Sequence, residues 1–374
     1  MIAPGGTIGI LGGGQLGRMT GQAARELGYG FIVFEPSSNC PAGQVADLEI
    51  NAAYDDESAL ARFAKLVDVV TYEFENVNVE ALNFLKERVS IFPNPNVLHI
   101  CQNREREKTF LRENGFPHAP FAVIESANDL ETALQAIGRP AVLKTANFGY
   151  DGKGQLKIEA ESTESTAEIW KRFDGQRAIL EGWVNFDLEI SVIVAISSAG
   201  EVSTFPVAEN IHTNHILDFS IVPARIDKSL AEEAVELAVA IARKLEVIGL
   251  IGVELFVSEG GKLVVNEMAP RPHNSGHYTM DACLTSQFEQ FTRAVCGLPL
   301  GSTALRSPVT MVNILGDAWQ GKAPDFSRLL KQGAKLHLYG KAEPRVGRKM
   351  GHFNVLAETN EEAFTIAKSL KAVL

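Results

Sequence analysis

TIGILGGGQLGRM (residues 7–19) decides the fold. A short apolar stretch, TIGIL, runs straight into Gly12, Gly14 and Gly17 in G-x-G-x-x-G order, and an amphipathic run follows from about Gln15 to Leu27. That succession reads as strand, tight turn and helix. Glycines let the backbone turn sharply and bring amide N–H groups and a helix N-terminus to one point. Outward from there, FIVF (31–34), an amphipathic run from about Asp56 to Leu66, VDVVTYEF (67–74), a helix near Val79–Arg88 and IFP (91–93) continue the alternation. This βαβαβ rhythm predicts a parallel sheet covered on both faces. Glu35 ends the second strand, about where a dinucleotide fold keeps its ribose-binding acid. Taken alone, the loop suits a phosphate-bearing substrate, a dinucleotide or a turn that needs glycine for its shape.

The chain has 374 residues, enough for two or three domains with a substantial core. Its composition, 45% hydrophobic and 22% charged, is that of an ordinary globular protein rather than a disordered or fibrous one. A net charge of −11 argues against nucleic acid as the main partner, and small anionic substrates then require a local positive pocket. Cys40, Cys101, Cys283 and Cys296 are far apart and follow no metal-binding spacing, which suggests a reducing compartment. No stretch approaches the roughly 20 apolar residues of a membrane span, and the N-terminus lacks the basic region of a signal peptide. A cytoplasmic protein with no membrane partner is expected.

Pro93, Pro95, Pro117 and Pro120 flank the charged helix QNREREKTFLREN (102–114), and a first boundary is placed near residue 100. FAVI (121–124), a helix through Leu130–Ile137 and AVLKTA (141–146) open a second block. From Arg177 long β segments are expected in AILEGWV, FDLEISVIVAIS and EVSTFPVAEN, then a helix at 229–245. IGLIGVELFVS (248–258) and GKLVVNEMAP (261–270) form a hairpin turning at Glu259-Gly260-Gly261, followed by a helix at 279–296 and an α/β tail. The expected division is 1–100, 101–180 and 181–374.

Four groups of residues carry chemistry. Lys144 ends a strand before NFGYDGKGQ (147–155), where glycines surround Lys153; such a loop folds over a polyphosphate or is a solvated turn, and it lacks the P-loop pattern. Glu254 and Glu267 lie on the two hairpin strands. Counting from the turn sets Glu254 opposite Val265–Asn266, close enough to Glu267 for the two carboxylates to hold Mg²⁺ together with substrate phosphates, unless both face solvent. RPHNSGHYTMD, beyond Pro270, sets Arg271, His273, Asn274, Ser275, Gly276 and His277 beside that pair, where a carboxylate-like substrate would sit. GKAEPRVGRKMGH (340–352) is a basic island, either a solvated loop or a phosphate clamp.

Together Lys144, GYDGKGQ, Glu181 and Val184, Glu189, Glu254 and Asn266-Glu267 resemble the ATP-grasp superfamily. GILGGGQLGRM, TYEFENV, KTANFGYDGKGQ, NEMAPRPHNSGH and GRKMGHFNV narrow the resemblance to the 5-(carboxyamino)imidazole ribonucleotide synthetase family, over nearly the whole chain. It implies an α/β chain with a Rossmann-like N-terminal domain, a two-part ATP-grasp and a small C-terminal tail. Arg104, Lys144 and Gly149, Tyr150, Asp151, Gly152, Lys153, Gly154 and Gln155 would hold ATP phosphates. Glu181, Gly182, Trp183 and Val184 would take the adenine side, Glu189 the ribose, with His212 near the nucleotide. Glu254 and Glu267 would carry Mg²⁺, with Asn266 as a contributor; Ala269 stands where many members have Asn. Aminoimidazole ribonucleotide would lie on Gly14, Gln15, Leu16, Tyr72 and Glu73, its phosphate near Lys341 and Arg348. A homodimer is implied as well.

The reaction so implied phosphorylates bicarbonate with ATP, Lys144 neutralising the γ-phosphoryl group, and carboxylates the amine of the ribonucleotide. Arg271 and the amides of Asn274–Gly276 are candidates for holding bicarbonate, His273 or His277 for polar positioning, and the loop around Lys153 for excluding water. A formate-dependent formylation of glycinamide ribonucleotide is the near alternative. An NAD-dependent oxidoreductase is the distant one, and it leaves Glu254, Glu267 and the second glycine loop unexplained.

Overall fold

The computed structural model describes residues 1–147, 154–321 and 323–374. Thr7–Leu11 forms the middle of a five-stranded parallel sheet, between Gly30–Phe34 and Val69–Tyr72, with Leu48–Ile50 and Ser90–Ile91 at the edges. The inner strands are almost wholly buried, as a parallel sheet covered on both faces requires. Leu48–Ile50, the one strand of this sheet that the alternation does not predict, is a half-exposed edge. Helix Gln15–Glu26 starts at Gly14 and packs Leu16, Met19 and Ala23 against Phe288 and Tyr339 from the C-terminal half.

A second, antiparallel sheet runs Phe121–Ile124, Ala178–Gly182, Ala141–Thr145, Gln155–Ile158. Leu130, Ala133 and Leu134 of helix Ala127–Ile137, which Ser126 caps, cover it. The third sheet is antiparallel and nine-stranded, and it joins segments distant in sequence. From one edge it runs Lys262–Ala269, Gly249–Ser258, Phe186–Ile196, Ala208–Thr213, Ile216–Val222, Val309–Leu315, Lys349–Leu356, Lys335–Leu338; Val202–Thr204 also pairs with Phe186–Ile196.

Two expected elements are broken. Residues 201–210 split into Val202–Thr204 and Ala208–Thr213, because Pro206 between them has no N–H for a ladder. The helix expected at 279–296 becomes Thr279–Ala282 and Gln287–Cys296: Cys283 is extended, and Ser286 starts the second helix by accepting the Glu289 N–H. The hairpin turns at Glu259–Gly261 as expected, with positive φ at Gly260 (78°) and Gly261 (75°), backbone that glycine adopts without strain.

Candidate active site

A cavity of about 990 Å³ lies among the three sheets, reaching from Gln15, Leu16 and Glu73 past Arg271, His273 and the Glu254–Glu267 pair to Lys144, Glu181 and Trp183. One end is the crevice beyond the carboxyl ends of the parallel strands, where open α/β sheets bind ligands. There Glu73 accepts the N–H groups of Gly14 (2.5 Å) and Gly17 (2.9 Å), and Glu35 accepts that of Gly13 (3.0 Å). Carboxylates of the chain thus hold the amides that a phosphate would use. The glycines permit the approach, since a Cβ on Gly14 would stand 2.4 Å from Glu73 Oε1. Burial raises the Glu73 carboxyl, and the Gly17 and Gly14 amides act against it. Tyr72 is fully buried under this end and is not among the cavity's walls.

Of the basic island, Lys349 lines the cavity, whereas Lys341 Nζ donates to the Lys349 carbonyl (2.7 Å) and Arg348 Nη1 to the Glu343 carbonyl (2.8 Å). The expected positive pocket is not simply positive, because cations and carboxylates interleave. Lys144 Nζ, on the strand end, lies 2.9 Å from Glu181 Oε2, and Lys108 Nζ approaches the same oxygen from the other side at 3.9 Å. Burial alone would raise Glu181; Lys108 and Lys144 reverse that and bring it to about 2, so it is ionised. Arg104, Gln155, Gly182 and Val184 line this end, as does Trp183, which is 40% exposed with Lys157 Nζ 4.3 Å above its ring. Glu189 and His212 form an ion pair in the wall. Burial lowers the His212 imidazole, but Glu189 outweighs it and the group titrates above its ordinary value. Gly154 sits behind Thr145, whose N–H its carbonyl accepts (2.8 Å). Gly149, Tyr150, Asp151, Gly152 and Lys153 lie outside the described residues.

The hairpin register differs from simple counting. Ser258 faces Lys262 and Leu255 faces Val265, but an irregularity next to Leu255 sets Glu254 directly opposite Glu267, with Asn266 as the extra residue. Residues directly opposite share a face, so the bulge turns both carboxylates into the cavity; an unbroken ladder would pair Glu254 with Asn266 and aim Glu267 at the other face. Burial, then the neighbouring Glu267, raises Glu254 to about 7. A pair of apposed carboxylates that resist ionising together suits a hard cation with oxygen ligands. Among the described residues no cluster of three or more His, Cys, Asp or Glu could hold a metal, so substrate phosphate and water oxygens would complete the shell, as they do for Mg²⁺. Ala269 is buried and offers nothing.

Arg271 meets Glu75 at 2.6 Å, and its Nε finds no hydrogen-bond partner among the described residues. Burial would lower the guanidinium; Glu75 more than compensates and keeps it charged. His273 Nε2 stands 3.3 Å from Glu254 Oε1. Its tautomer follows from a buried chain in which Ser220 donates to Asn210, Asn210 to Ser191 and Ser191 to Ser275, leaving the Ser275 hydroxyl proton for His273 Nδ1 at 2.8 Å. The His273 proton is therefore on Nε2, facing Glu254. Burial and the nearby Arg271 keep the ring neutral, well below the usual histidine range.

The amides expected to hold bicarbonate are placed otherwise. The turn Asn274–Gly276 aims the Gly276 N–H at the His273 carbonyl (3.0 Å) and the Ser275 N–H at His273 Nδ1, so Ser275 and Gly276 act behind His273 rather than in the cavity. Asn274 lines the cavity, but its side-chain amide is engaged with Asn313 at 3.0 and 2.9 Å. His277 is fully buried on Gln287, so of the two histidines only His273 lines the cavity.

Three family models match in succession: a ribonucleotide synthetase preATP-grasp domain over residues 6–102, an ATP-grasp domain over 109–288 and a phosphoribosylaminoimidazole carboxylase C-terminal domain over 309–365. The N5-carboxyaminoimidazole ribonucleotide synthase of Bacillus subtilis (strain 168) is 49% identical over 364 residues, 97% of this chain and 94% of its own. This chain belongs to the N5-carboxyaminoimidazole ribonucleotide synthase family. One crystal structure of the family, an ADP complex, superposes with a TM-score of 0.94 at 47% identity, covering 99% of this chain and 97% of the other. The Aspergillus clavatus N5-carboxyaminoimidazole synthase, solved with ADP and 5-aminoimidazole ribonucleotide, gives 0.88 at 32% identity over 99% and 98% of the two chains. The chain is an ATP-grasp ligase of this synthase family, with the α/β architecture expected from the sequence.

Several groups in the cavity of this synthase-family member, and behind it, carry no signal in the sequence. Glu75 sits inside the quoted TYEFENV, and Glu107 and Lys108 inside the charged helix, where they pass for solvated residues although they are 3% and 1% exposed. Ser191, Asn210 and Ser220 alternate with apolar residues in strands and carry no motif.

Proposed function

We propose that this chain carboxylates 5-aminoimidazole ribonucleotide: bicarbonate and ATP give N5-carboxyaminoimidazole ribonucleotide, ADP and phosphate. The observation that carries the reading is the single cavity joining the Gln15–Glu73 crevice, the Arg271–His273 wall and the Lys144–Glu181 end, with the carboxylate pair between. ATP occupies the end lined by Arg104, Lys144, Trp183 and Glu189. The ribonucleotide occupies the crevice of Gly14–Leu16 and Glu73, its phosphate toward Lys341 and Arg348.

Bicarbonate is a poor electrophile, and transfer of the γ-phosphoryl group to one of its oxygens turns that oxygen into part of a phosphate leaving group. Arg271, charged and with a free Nε, holds the anion against the carboxylate pair. Lys144 stabilises the equatorial charge that builds during transfer. The exocyclic amine of the ribonucleotide then forms the N–C bond as the C–O bond to phosphate breaks, and phosphate departs with the bridging oxygen and takes up the proton that the amine releases. Glu73, fixed by two amides, orients the ribonucleotide, and His273, neutral with its proton on Nε2, orients Glu254. Glu254 and Glu267 would hold Mg²⁺, which would supply neutralisation of the phosphate charge. The relatives over nearly the whole chain do not favour the formylating alternative. The same reading takes the chain as cytoplasmic and divided at 1–100, 101–180 and 181–374, and, as the family resemblance suggests, as a homodimer.

The test is ADP release from Mg-ATP with the ribonucleotide, in bicarbonate-supplemented and bicarbonate-depleted buffer. ADP formation that requires both co-substrates is expected; release that ignores both, or that formate and glycinamide ribonucleotide restore, refutes the substrate assignment.

A further inference from the structure

We propose that Glu107 and Lys108 are positioning residues that set the Glu254–Glu267 pair by clamping the bulge at Asn266, an inference that rests on reading those two carboxylates as the metal pair. The strand Lys262–Ala269 is the outer edge of the nine-stranded sheet, so its outward backbone groups have no neighbouring strand there. An unpaired edge needs other partners, and a bulge on it needs more. Val265 N–H finds the Pro117 carbonyl (2.9 Å). Beyond it, the side chains of helix Arg104–Glu113 take over. Lys108 Nζ donates to the Asn266 carbonyl at 2.8 Å, with the Val265 carbonyl at 3.4 Å, and Glu107 Oε1 accepts the Met268 N–H at 2.6 Å.

Consecutive residues of one helix thus grip the backbone on both sides of Glu267, one as donor and one as acceptor. Both are almost wholly buried, which is rare for charged side chains unless they are paired. Their grip falls on the irregular step, where one residue of slip decides the face on which Glu267 emerges. Lys108 also stands 3.9 Å from Glu181, so the same helix spans the Lys144 end and the carboxylate pair.

The experiment measures Mn²⁺, used as the paramagnetic probe, binding to the protein–ADP complex by water-proton relaxation, beside ADP affinity in EDTA and the melting temperature. Lys108→Met and Glu107→Leu are expected to weaken Mn²⁺ binding by about 10- to 100-fold, the usual effect of losing a residue behind a metal ligand, with ADP affinity in EDTA changed less than about threefold in Glu107→Leu and by less than the Mn²⁺ factor in Lys108→Met, where Glu181 also loses a cation. Glu107→Gln, which keeps an acceptor for Met268 N–H, is expected to stay near wild type. Mn²⁺ affinity within about threefold of wild type in Lys108→Met overturns the inference, whether or not Glu107→Leu folds. Glu267→Gln serves as the control: loss of Mn²⁺ there, with none in Lys108→Met, removes the clamp alone, whereas full retention there removes the metal reading and the clamp with it.

Discussion

Replacing Lys144 by Met separates what the ammonium does for the fold from what it does for the reaction. In the resting protein Lys144 is one of two cations on Glu181, at 2.9 Å, with Lys108 at 3.9 Å as the other. Without it Glu181 keeps Lys108, so the loss is that of one charge-assisted hydrogen bond, about 1.5–3 kcal/mol, and the melting temperature drops by several degrees. The chemical step loses a preorganised donor aimed at the transferring phosphoryl group, a change worth about 10²–10³ in kcat, or roughly 3–4 kcal/mol. Lys144→Arg keeps the charge but not the point geometry and falls between the two. The assay is ADP release at saturating ATP, ribonucleotide and bicarbonate, beside a thermal melt. A Lys144→Met protein with kcat within about threefold of wild type, a difference of under about 1 kcal/mol, refutes the role given to this lysine.

Glu254, raised from its ordinary 4.5 to about 7, gives the metal-free protein stability that is present below pH 4.5 and lost as pH rises through 7. Urea unfolding without metal is expected to show a loss of about 3 kcal/mol between pH 5 and pH 8 from this group, which Glu254→Gln abolishes; an unchanged slope in the variant contradicts the assignment. Gly14→Ala puts a Cβ 2.4 Å from Glu73 Oε1 and pushes the carboxylate off its amides. The KM for the ribonucleotide is expected to rise about tenfold, the equivalent of one such hydrogen bond, with the KM for ATP unmoved. Gly276→Ala sets a Cβ 2.1 Å from Ile193 Cδ1 and 2.6 Å from Gln287 Oε1, the amide oxygen that holds the His273 N–H. It is expected to cost about 1–3 kcal/mol in unfolding and to lower kcat through the displaced ring; wild-type values for both contradict the packing argument.

The parallel sheet was legible because its strands are buried on both faces and read as short apolar runs between amphipathic ones. The nine-stranded sheet was not, since periodicity says nothing of which distant strands pair; Val309–Leu315 and Lys349–Leu356 join strands from residues 186–269 only in three dimensions. The carboxylate pair was visible as a hairpin, but its alignment depends on one extra residue, and no turn-based count detects a bulge. Glu73 was named as a substrate contact, yet the sequence could not reveal that it would take the glycine amides for itself. Motifs marked Arg271 and His273. Glu75 and Gln287, which hold them, and the Ser191–Asn210–Ser220 chain behind Ser275 stayed hidden because a buried polar residue is recognised by its partners rather than by its neighbours in sequence.

Activation of bicarbonate by phosphorylation, in the cavity between the carboxylate pair and Arg271, leaves an isotopic trace that is read by running the reaction with ¹⁸O-labelled bicarbonate and recovering the inorganic phosphate. One ¹⁸O is expected in each phosphate formed, delivered when the phosphoryl group is transferred to a bicarbonate oxygen and leaves with it. Phosphate carrying no label, alongside a carboxylated ribonucleotide that does carry it, would rule out a phosphorylated bicarbonate.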